Sequence, residues 1–71
     1  MYFAILVLAE GPRIGECHEA NSLEEAIEKG IEIAGRQEEE LDKDAAKEEL
    51  EETLSYGGGL GEWSVCVGQS E

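Results

Sequence analysis

The 71-residue sequence predicts a single α+β domain, residues 1–71, with a three-stranded sheet and two helices in the order β-β-α-α-β. Three observations predict this class: an apolar run at the start, two segments of helical periodicity in the middle, and an alternating segment near the end. We expect the first strand at the centre of the sheet, with the other two beside it. The angle between the helices decides whether the last strand runs parallel or antiparallel to the first, and the sequence leaves both directions open.

The first predicted strand runs from Tyr2 to Leu8 and is apolar at every position. Because neighbouring side chains in a strand point to opposite faces, such a run indicates a central strand or one covered on both sides. A turn containing Pro12, the only proline, follows it. The segment RIGECHEA, residues 13–20, mixes polar and apolar side chains, as expected of an edge strand with one face in water. The two strands therefore form a hairpin.

The first helix is predicted in the segment NSLEEAIEKGIEIAG. Ser22 and Glu25 have the spacing of a capping box, which marks a helix start. Apolar residues recur with the helical period on one face and glutamates on the other, which indicates an amphipathic helix. Gly35 is expected to end it. The predicted apolar face consists of Leu23, Ala26, Ile27, Gly30, Ile31, Ile33 and Ala34.

The second helix is predicted from about Asp42 to about Ser55, with end positions that the sequence defines only within a few residues. Its apolar stripe is thin, because only Ala46, Leu50 and Leu54 recur at i, i+4 and i+8. The rest of its surface is polar. We therefore expect a helix that rests on a narrow contact and exposes most of its circumference.

The chain then passes through the glycine-rich segment YGGGLG into a last strand, EWSVCVG. Glycine adopts backbone angles that other residues avoid, so the first segment is expected to break the helix and reverse the chain. The second segment alternates, with Trp63, Val65 and Val67 on one face. Trp63 either packs in the core or joins Tyr56 in an exposed aromatic contact, and core packing is the favoured interpretation.

The composition is strongly acidic, with 18 Asp and Glu against 5 Lys and Arg and a formal net charge of −13. Such a chain repels nucleic acid, whose phosphates attract cations, and it repels anionic membranes. The charge favours a basic partner or simply high solubility. Because 41% of the residues are hydrophobic, the chain has enough apolar side chains for a core, and we do not expect it to be disordered.

The two cysteines, Cys17 and Cys66, form no CxxC motif. We interpret them as small reduced residues of the core or the strands, and a single bridge between them stays open. The apolar start MYFAILVLAEG lacks the basic region and the cleavage site of a signal peptide, and it is too short to span a bilayer. We therefore expect a cytoplasmic protein.

No catalytic or cofactor motif emerges from the sequence. The glycine run lacks the Lys and the Ser or Thr of a P-loop, and no helix follows it. The segment DKDAAKEELEET departs from a calcium-binding loop at three positions. Cys17 and His18 are adjacent in a strand, so they point to opposite faces and do not form a catalytic pair. We predict that the protein is not an enzyme and that it holds neither a cofactor nor a metal.

Nine carboxylates and only two lysines lie within residues 38–52. Those at positions 38–40 belong to a connector, where crowding costs little. Inside the second helix, Asp44, Glu48 and Glu52 stack like charges at i, i+4 and i+8, and each such contact costs about 0.2–0.5 kcal/mol. An ordinary solvated helix interleaves the two signs and favours Glu four residues before Lys. This helix does not follow that pattern.

The helix dipole adds to the cost, because Glu51 and Glu52 lie near the C-terminus, where anions are disfavoured. Local rules that are broken without a local gain usually mark a functional region. Carboxylates one helical turn apart are about 5–6 Å apart at Cβ, a spacing on the scale of successive backbone phosphates. The predicted partner-binding residues are Asp42, Asp44, Glu48, Glu49, Glu51 and Glu52.

The strand-strand-helix-helix-strand layout, the acidic helix and the ending GEWSVCVG resemble small acidic phage-encoded inhibitor proteins, of the kind that includes anti-CRISPR proteins and other DNA mimics. The resemblance implies a stoichiometric inhibitor without a cofactor, acting in the cytoplasm of a bacterial or archaeal host cell. It transfers no binding residues to this chain, because there is no diagnostic motif to align.

Two functions fit these observations. The first is a nucleic-acid mimic, in which the acidic helix blocks a basic DNA- or RNA-binding protein or complex, for example one of a host defence system. The alternative is a small protein-interaction module or homodimer that pairs through sheet edges, with acidity serving solubility. A mimic is expected to be a monomer or homodimer that does not bind nucleic acid itself. Partner binding that weakens steeply with salt favours mimicry, whereas salt-independent association favours edge pairing.

Overall fold

The chain forms four strands and two helices in a computed structural model that describes residues 1–11, 13–58 and 61–69. The sheet is antiparallel throughout. Both helices pack against the same face of it. The elements are β1 (Tyr2–Leu8), β2 (Arg13–Ala20), α1 (Leu23–Gln37), α2 (Lys43–Thr53), β3 (Ser55–Gly57) and β4 (Trp63–Gln69).

The strand order β2-β1-β4-β3 confirms the α+β class and places the first strand in the interior of the sheet. The predicted count of three strands is wrong, because β3 adds a fourth. This strand is only three residues long and contains a glycine, a residue with low strand propensity. Its extended shape comes from pairing with β4, where Tyr56 lies opposite Val65. The last strand is antiparallel to the first, which settles the direction that the sequence left open.

Helix α1 begins at the predicted cap. The Glu25 backbone N–H donates to Ser22 Oγ at 3.1 Å, and the Glu25 carboxylate accepts from the Asn21 backbone N–H at 3.0 Å. The predicted end at Gly35 is wrong, because the helix continues to Gln37. A glycine costs only about 1 kcal/mol inside a helix, and the burial of neighbouring Ala34 on the core face outweighs that cost.

Helix α2 also differs from its prediction at the C-terminal end. Leu54, the third member of the predicted apolar stripe, is the C-cap residue in a left-handed conformation with φ of 63°. That conformation turns its side chain away from the helix stripe, and it is 40% exposed. Ala46 and Leu50 are both fully buried. The helix therefore contacts the rest of the protein through an even narrower stripe than the sequence predicts.

The core lies between the two helices and the sheet. The predicted common face of Trp63, Val65 and Val67 on β4 is confirmed, and it points into the core, since all three residues are buried. Trp63 packs in the core, and its ring centroid lies 6.1 Å from that of Tyr56 in a tilted arrangement. The buried cluster consists of Ala4, Leu6, Ala20, Ala26, Ile27, Ile33, Ala34, Leu50, Trp63, Val65 and Val67.

The opposite face of the sheet has no helix over it within the described ranges, although its centre is apolar. We call it the open face. Phe3, Ile5 and Val7 of β1 are only half-buried there. The cross-strand register gives the open face its main members, which are Phe3, Ile5, Val7, Ile14, Cys17, Glu19, Ser64, Cys66 and Gly68.

The two cysteines lie on the open face in one row across the sheet. Cys17 and Cys66 are both opposite Ile5, on its two sides. Two strand spacings separate them, about 9–10 Å between Cα atoms. A disulfide requires Cα atoms within roughly 7 Å. The fold therefore excludes the internal bridge that the sequence left open, and both thiols are free.

Candidate partner-binding surface

Helix α2 presents a band of carboxylates to solvent, which we call the acidic surface. These side chains spread over about half of the helix circumference, opposite the buried Leu50. Because Leu50 and Ala46 point into the core, the fold directs the band outward. The acidic surface consists of Asp44, Glu48, Glu49, Glu51 and Glu52, all of which are exposed.

Asp42, the sixth residue predicted to bind a partner, has a different position. It is the N-cap of α2, and its Oδ1 accepts hydrogen bonds from the backbone N–H groups of Asp44 and Ala45, both at 3.1 Å. A cap of this kind stabilises a helix by about 0.5–2 kcal/mol. The structure therefore explains Asp42 by a local role that the five carboxylates of the acidic surface do not have.

The described residues include no cation that forms an ion pair with the acidic surface. Within residues 1–11, 13–58 and 61–69, the Lys and Arg ion pair is the one between Arg36 Nη2 and Glu16 Oε1 at 2.6 Å, and the same oxygen lies 3.1 Å from His18 Nε2. The Glu16–Arg36 pair joins β2 to α1, whereas the Glu16–His18 contact lies within β2, and neither involves α2. The carboxylates of the acidic surface have no ion-pair partner in that part of the chain. Their charge is thus available to an external cation.

The two helices treat the macrodipole in opposite ways. Helix α1 has Glu24 and Glu25 in its first turn and Arg36 in its last turn, which complements the dipole at both ends. Helix α2 has Asp44 in its first turn but no basic residue in its last turn, where Glu51 and Glu52 lie. The charges of α1 therefore complement its helix dipole at both ends, whereas the charges at the C-terminus of α2 oppose its dipole.

Replacing Glu52 by lysine is expected to raise the free energy of unfolding by about 1 kcal/mol. The change removes the Glu48–Glu52 repulsion, creates a favourable Glu-to-Lys pair and places a cation at the C-terminus of α2. Thermal melting should show a midpoint roughly 4–8 °C higher. Glu39→Lys in the exposed connector is the matched control, because it changes the net charge equally. Equal gains in both variants would show that overall charge matters and not the position on α2.

Cys17 and His18 lie on opposite faces of the sheet, as the sequence predicts. His18 points to the helix side of β2, opposite Ala4, whereas Cys17 lies on the open face opposite Ile5. In the described part of the chain, no group of three or more His, Cys, Asp or Glu side chains is arranged to hold a metal ion. The connector at residues 38–40 lies between the helices and is exposed, as predicted.

The open face is a second surface that sequence reasoning did not single out. The sequence signal for it was available, because β1 is apolar at every position and only one of its faces is covered by the helices.

The glycine loop lies partly outside the described residues, since Gly59 and Leu60 are not among them.

No protein-family model, curated protein or solved structure matches the chain. The described helices include none that is both long and apolar enough to cross a membrane.

Proposed function

We propose that the protein is a non-enzymatic inhibitor that mimics nucleic acid and binds a basic nucleic-acid-binding protein or complex through the acidic surface of α2. Its target would be a DNA- or RNA-binding component of a bacterial or archaeal cell, such as a defence complex. The proposal requires neither a cofactor nor an enzymatic step. It assigns the binding to Asp44, Glu48, Glu49, Glu51 and Glu52, with Asp42 fixing the start of the helix.

The observation that carries this proposal is the exposure of like charges without internal partners on a helix whose own dipole opposes them. Solubility alone does not require this arrangement, because acids at the connector or at the start of a helix increase solubility at less electrostatic cost. Concentrating the carboxylates on the second half of α2, in contrast, lowers the stability of the helix. Binding to a dense array of Lys and Arg side chains would offset that cost and give the arrangement a purpose.

The geometry of the surface also suits a groove that normally holds a phosphate backbone. Glu48 and Glu52 are one turn apart, and Glu51 continues the band around the helix. Carboxylates with this spacing, about 5–6 Å at Cβ, are comparable to successive phosphates. A helix about 10–12 Å in diameter can enter a groove open to nucleic acid. Association with such a partner would be fast at low salt and strongly screened at high salt.

Reversing the charge of Glu48, Glu49, Glu51 and Glu52 to lysine is expected to weaken partner capture at least about ten-fold while the fold is retained. The assay immobilises the tagged protein, exposes it to host lysate at low and high salt, and elutes bound proteins with duplex DNA or RNA. A true target is retained at low salt only, and nucleic acid displaces it. Circular dichroism verifies that the variant is folded.

The matched control reverses Glu28, Glu38, Glu39 and Glu40, which are all exposed and lie outside α2. Both variants have the same net charge, so a difference between them reports the position of the charge. The control should retain the target. If the α2 variant captures the same protein as well as the wild type does, or if nucleic acid fails to compete, the proposal is wrong.

A further inference from the structure

The open face has a composition that a solvated sheet face does not normally have. Antiparallel sheets with one side in water are usually polar on that side. Here Phe3, Ile5 and Val7 form a continuous apolar row along β1, and Ile14 beside them is 64% exposed. Glu19 is the one charged side chain that the described strands place on this face. In a chain of net charge −13, this near absence of charge is a local exception.

The open face is also flat enough to receive another sheet. Phe3 lies beside Gly68, and a Cβ built on that glycine would be 3.0 Å from Phe3 Cζ. The aromatic ring therefore lies down over the glycine and does not project from the sheet. The neighbouring positions on β4 hold the small side chains of Ser64 and Cys66. Sheets with such faces pack about 10 Å apart, with their strands rotated by about 30°.

We propose that the open face is the interface of a symmetric homodimer, in which two copies of this chain stack sheet against sheet. The open face does not attract a basic partner, because nearly all carboxylates of this protein lie on its other surfaces. A second copy presents an equally flat and largely apolar surface, on which Glu19 is the one charged side chain that the described strands supply. This inference is independent of the acidic surface of α2, which stays exposed in the dimer.

Stacking through the open faces keeps the electrostatic repulsion between two acidic copies lower than contact through their helices does. This stacking puts the two α2 helices on opposite outer sides with both sheets between them, farther apart than the Debye length of about 10 Å at 0.1 M salt. Any contact through the helices would instead bring the acidic surfaces together. The open face is thus the approach that minimises repulsion.

The area of the face predicts a weak, reversible dimer. Strands β1, β2 and β4 and the short β3, at about 4.8 Å per strand and 3.3 Å per residue, cover roughly 400 Å² per copy. The total of about 800 Å² falls in the range of transient interfaces, which bury less than about 1,200 Å². We therefore expect dissociation constants in the micromolar range or weaker, and a dimer fraction that depends on concentration.

The edges of the sheet carry features that disfavour pairing there. β3 is only three residues long, and a very short edge strand offers few free backbone groups. In β2 the register shifts between Leu6 and Val7, whose partners are Glu16 and Ile14, so Gly15 forms a bulge. Bulges twist an edge and interrupt its ladder. Association through the open face leaves these edges unused.

Analytical ultracentrifugation over a wide concentration range tests the inference without any partner. The wild type should show a monomer–dimer equilibrium that added salt strengthens, because salt screens the repulsion between two acidic copies. Ser64→Lys places a charge on the open face from the interior strand β4, and Ile14→Lys does so from β2. Each should weaken dimerisation at least about ten-fold, since charges are excluded from interface centres.

Leu23→Lys is the matched control, because it adds the same charge at an exposed apolar residue of α1. It should leave the dimer within about two-fold of the wild type. Ile14 is exposed enough for its substitution to preserve folding. If Ser64→Lys destabilises the protein, Ile14→Lys alone therefore decides the test. A wild type that is monomeric at all concentrations overturns the inference. A dimer that Ser64→Lys leaves intact points to edge pairing, and equal weakening by Leu23→Lys points to the helices.

Discussion

Replacing Leu50 by alanine should lower the free energy of unfolding by about 2–5 kcal/mol, the largest loss that we expect from a single substitution in this protein. Leu50 is fully buried. Its Cδ1 lies 3.4 Å from the position that a Cβ on Gly30 would occupy, so it packs where α1 and α2 approach closely. A domain of this size has a total stability of only about 5–15 kcal/mol. The variant should therefore be partly unfolded at moderate temperature.

Leu54→Ala is the control for this prediction, because the sequence assigns Leu50 and Leu54 to the same stripe and the structure separates them. Leu54 is 40% exposed, so its truncation should cost less than about 1 kcal/mol. Urea denaturation followed by circular dichroism gives both values. Equal losses would show that Leu54 packs in the core, contrary to its 40% exposure in the structure.

Replacing Gly58 by alanine is the second change with a large expected effect, a loss of about 1–3 kcal/mol. A Cβ at this position would lie 2.5 Å from Trp63 Nε1 and 2.9 Å from Trp63 Cε2. Gly58 also donates its N–H to the Trp63 carbonyl and accepts from the Gly61 N–H, both at 3.0 Å. These bonds hold the backbone in place, so the indole ring has to shift from its position on Gly58.

The chain has one tryptophan, which makes fluorescence a direct measure of this displacement. In Gly58→Ala the emission maximum should shift to longer wavelength in the native state, and the thermal midpoint should fall. Gly57→Ala is the matched control, because a Cβ there would make an ordinary contact at 3.4 Å with the Trp63 carbonyl oxygen and none with the indole. Unchanged emission in Gly58→Ala would contradict the close packing of the ring on this glycine.

The sequence predicted those elements that have a strong local signal. The Ser22 cap, the buried face of α1 around Ile33 and the alternation of Trp63, Val65 and Val67 all follow from spacing alone, and the structure contains each of them. The direction of β4 did not follow from spacing. It depends on how the helices bring the chain back, and that is a property of the packed protein.

The wrong predictions share a physical reason, which is that tertiary contacts outweighed a weak local preference. β3 has no strand signal of its own and forms only because β4 lies beside it. Gly35 did not end α1, since the buried residues before it hold the helix together. Leu54 left the stripe because the chain turns into β3 at that point. None of these outcomes is encoded within the few residues where it appears.

The candidate site divides in the same way. The exposure of Glu48, Glu49, Glu51 and Glu52 follows from the helical period and the single buried Leu50, so the sequence located the acidic surface. The capping bonds of Asp42 depend on the position at which α2 begins, which the sequence defined only approximately. The open face required the strand register, because an apolar run does not reveal which of its two sides the helices cover.

The pairing of β1 with β4 has a consequence for the synthesis of the protein. Tyr2 pairs with Gln69, so β1 leaves the ribosome well before β4, and one edge of β1 is not hydrogen-bonded until β4 has been synthesised. Until then the nascent chain can hold only the β1–β2 hairpin and the helices, and the edge of β1 that later pairs with β4 has no hydrogen-bond partner. A chain that stops before Trp63 lacks β4, which is an interior strand of the sheet and not an edge strand. We therefore expect truncated products to be removed by proteases instead of accumulating as folded fragments.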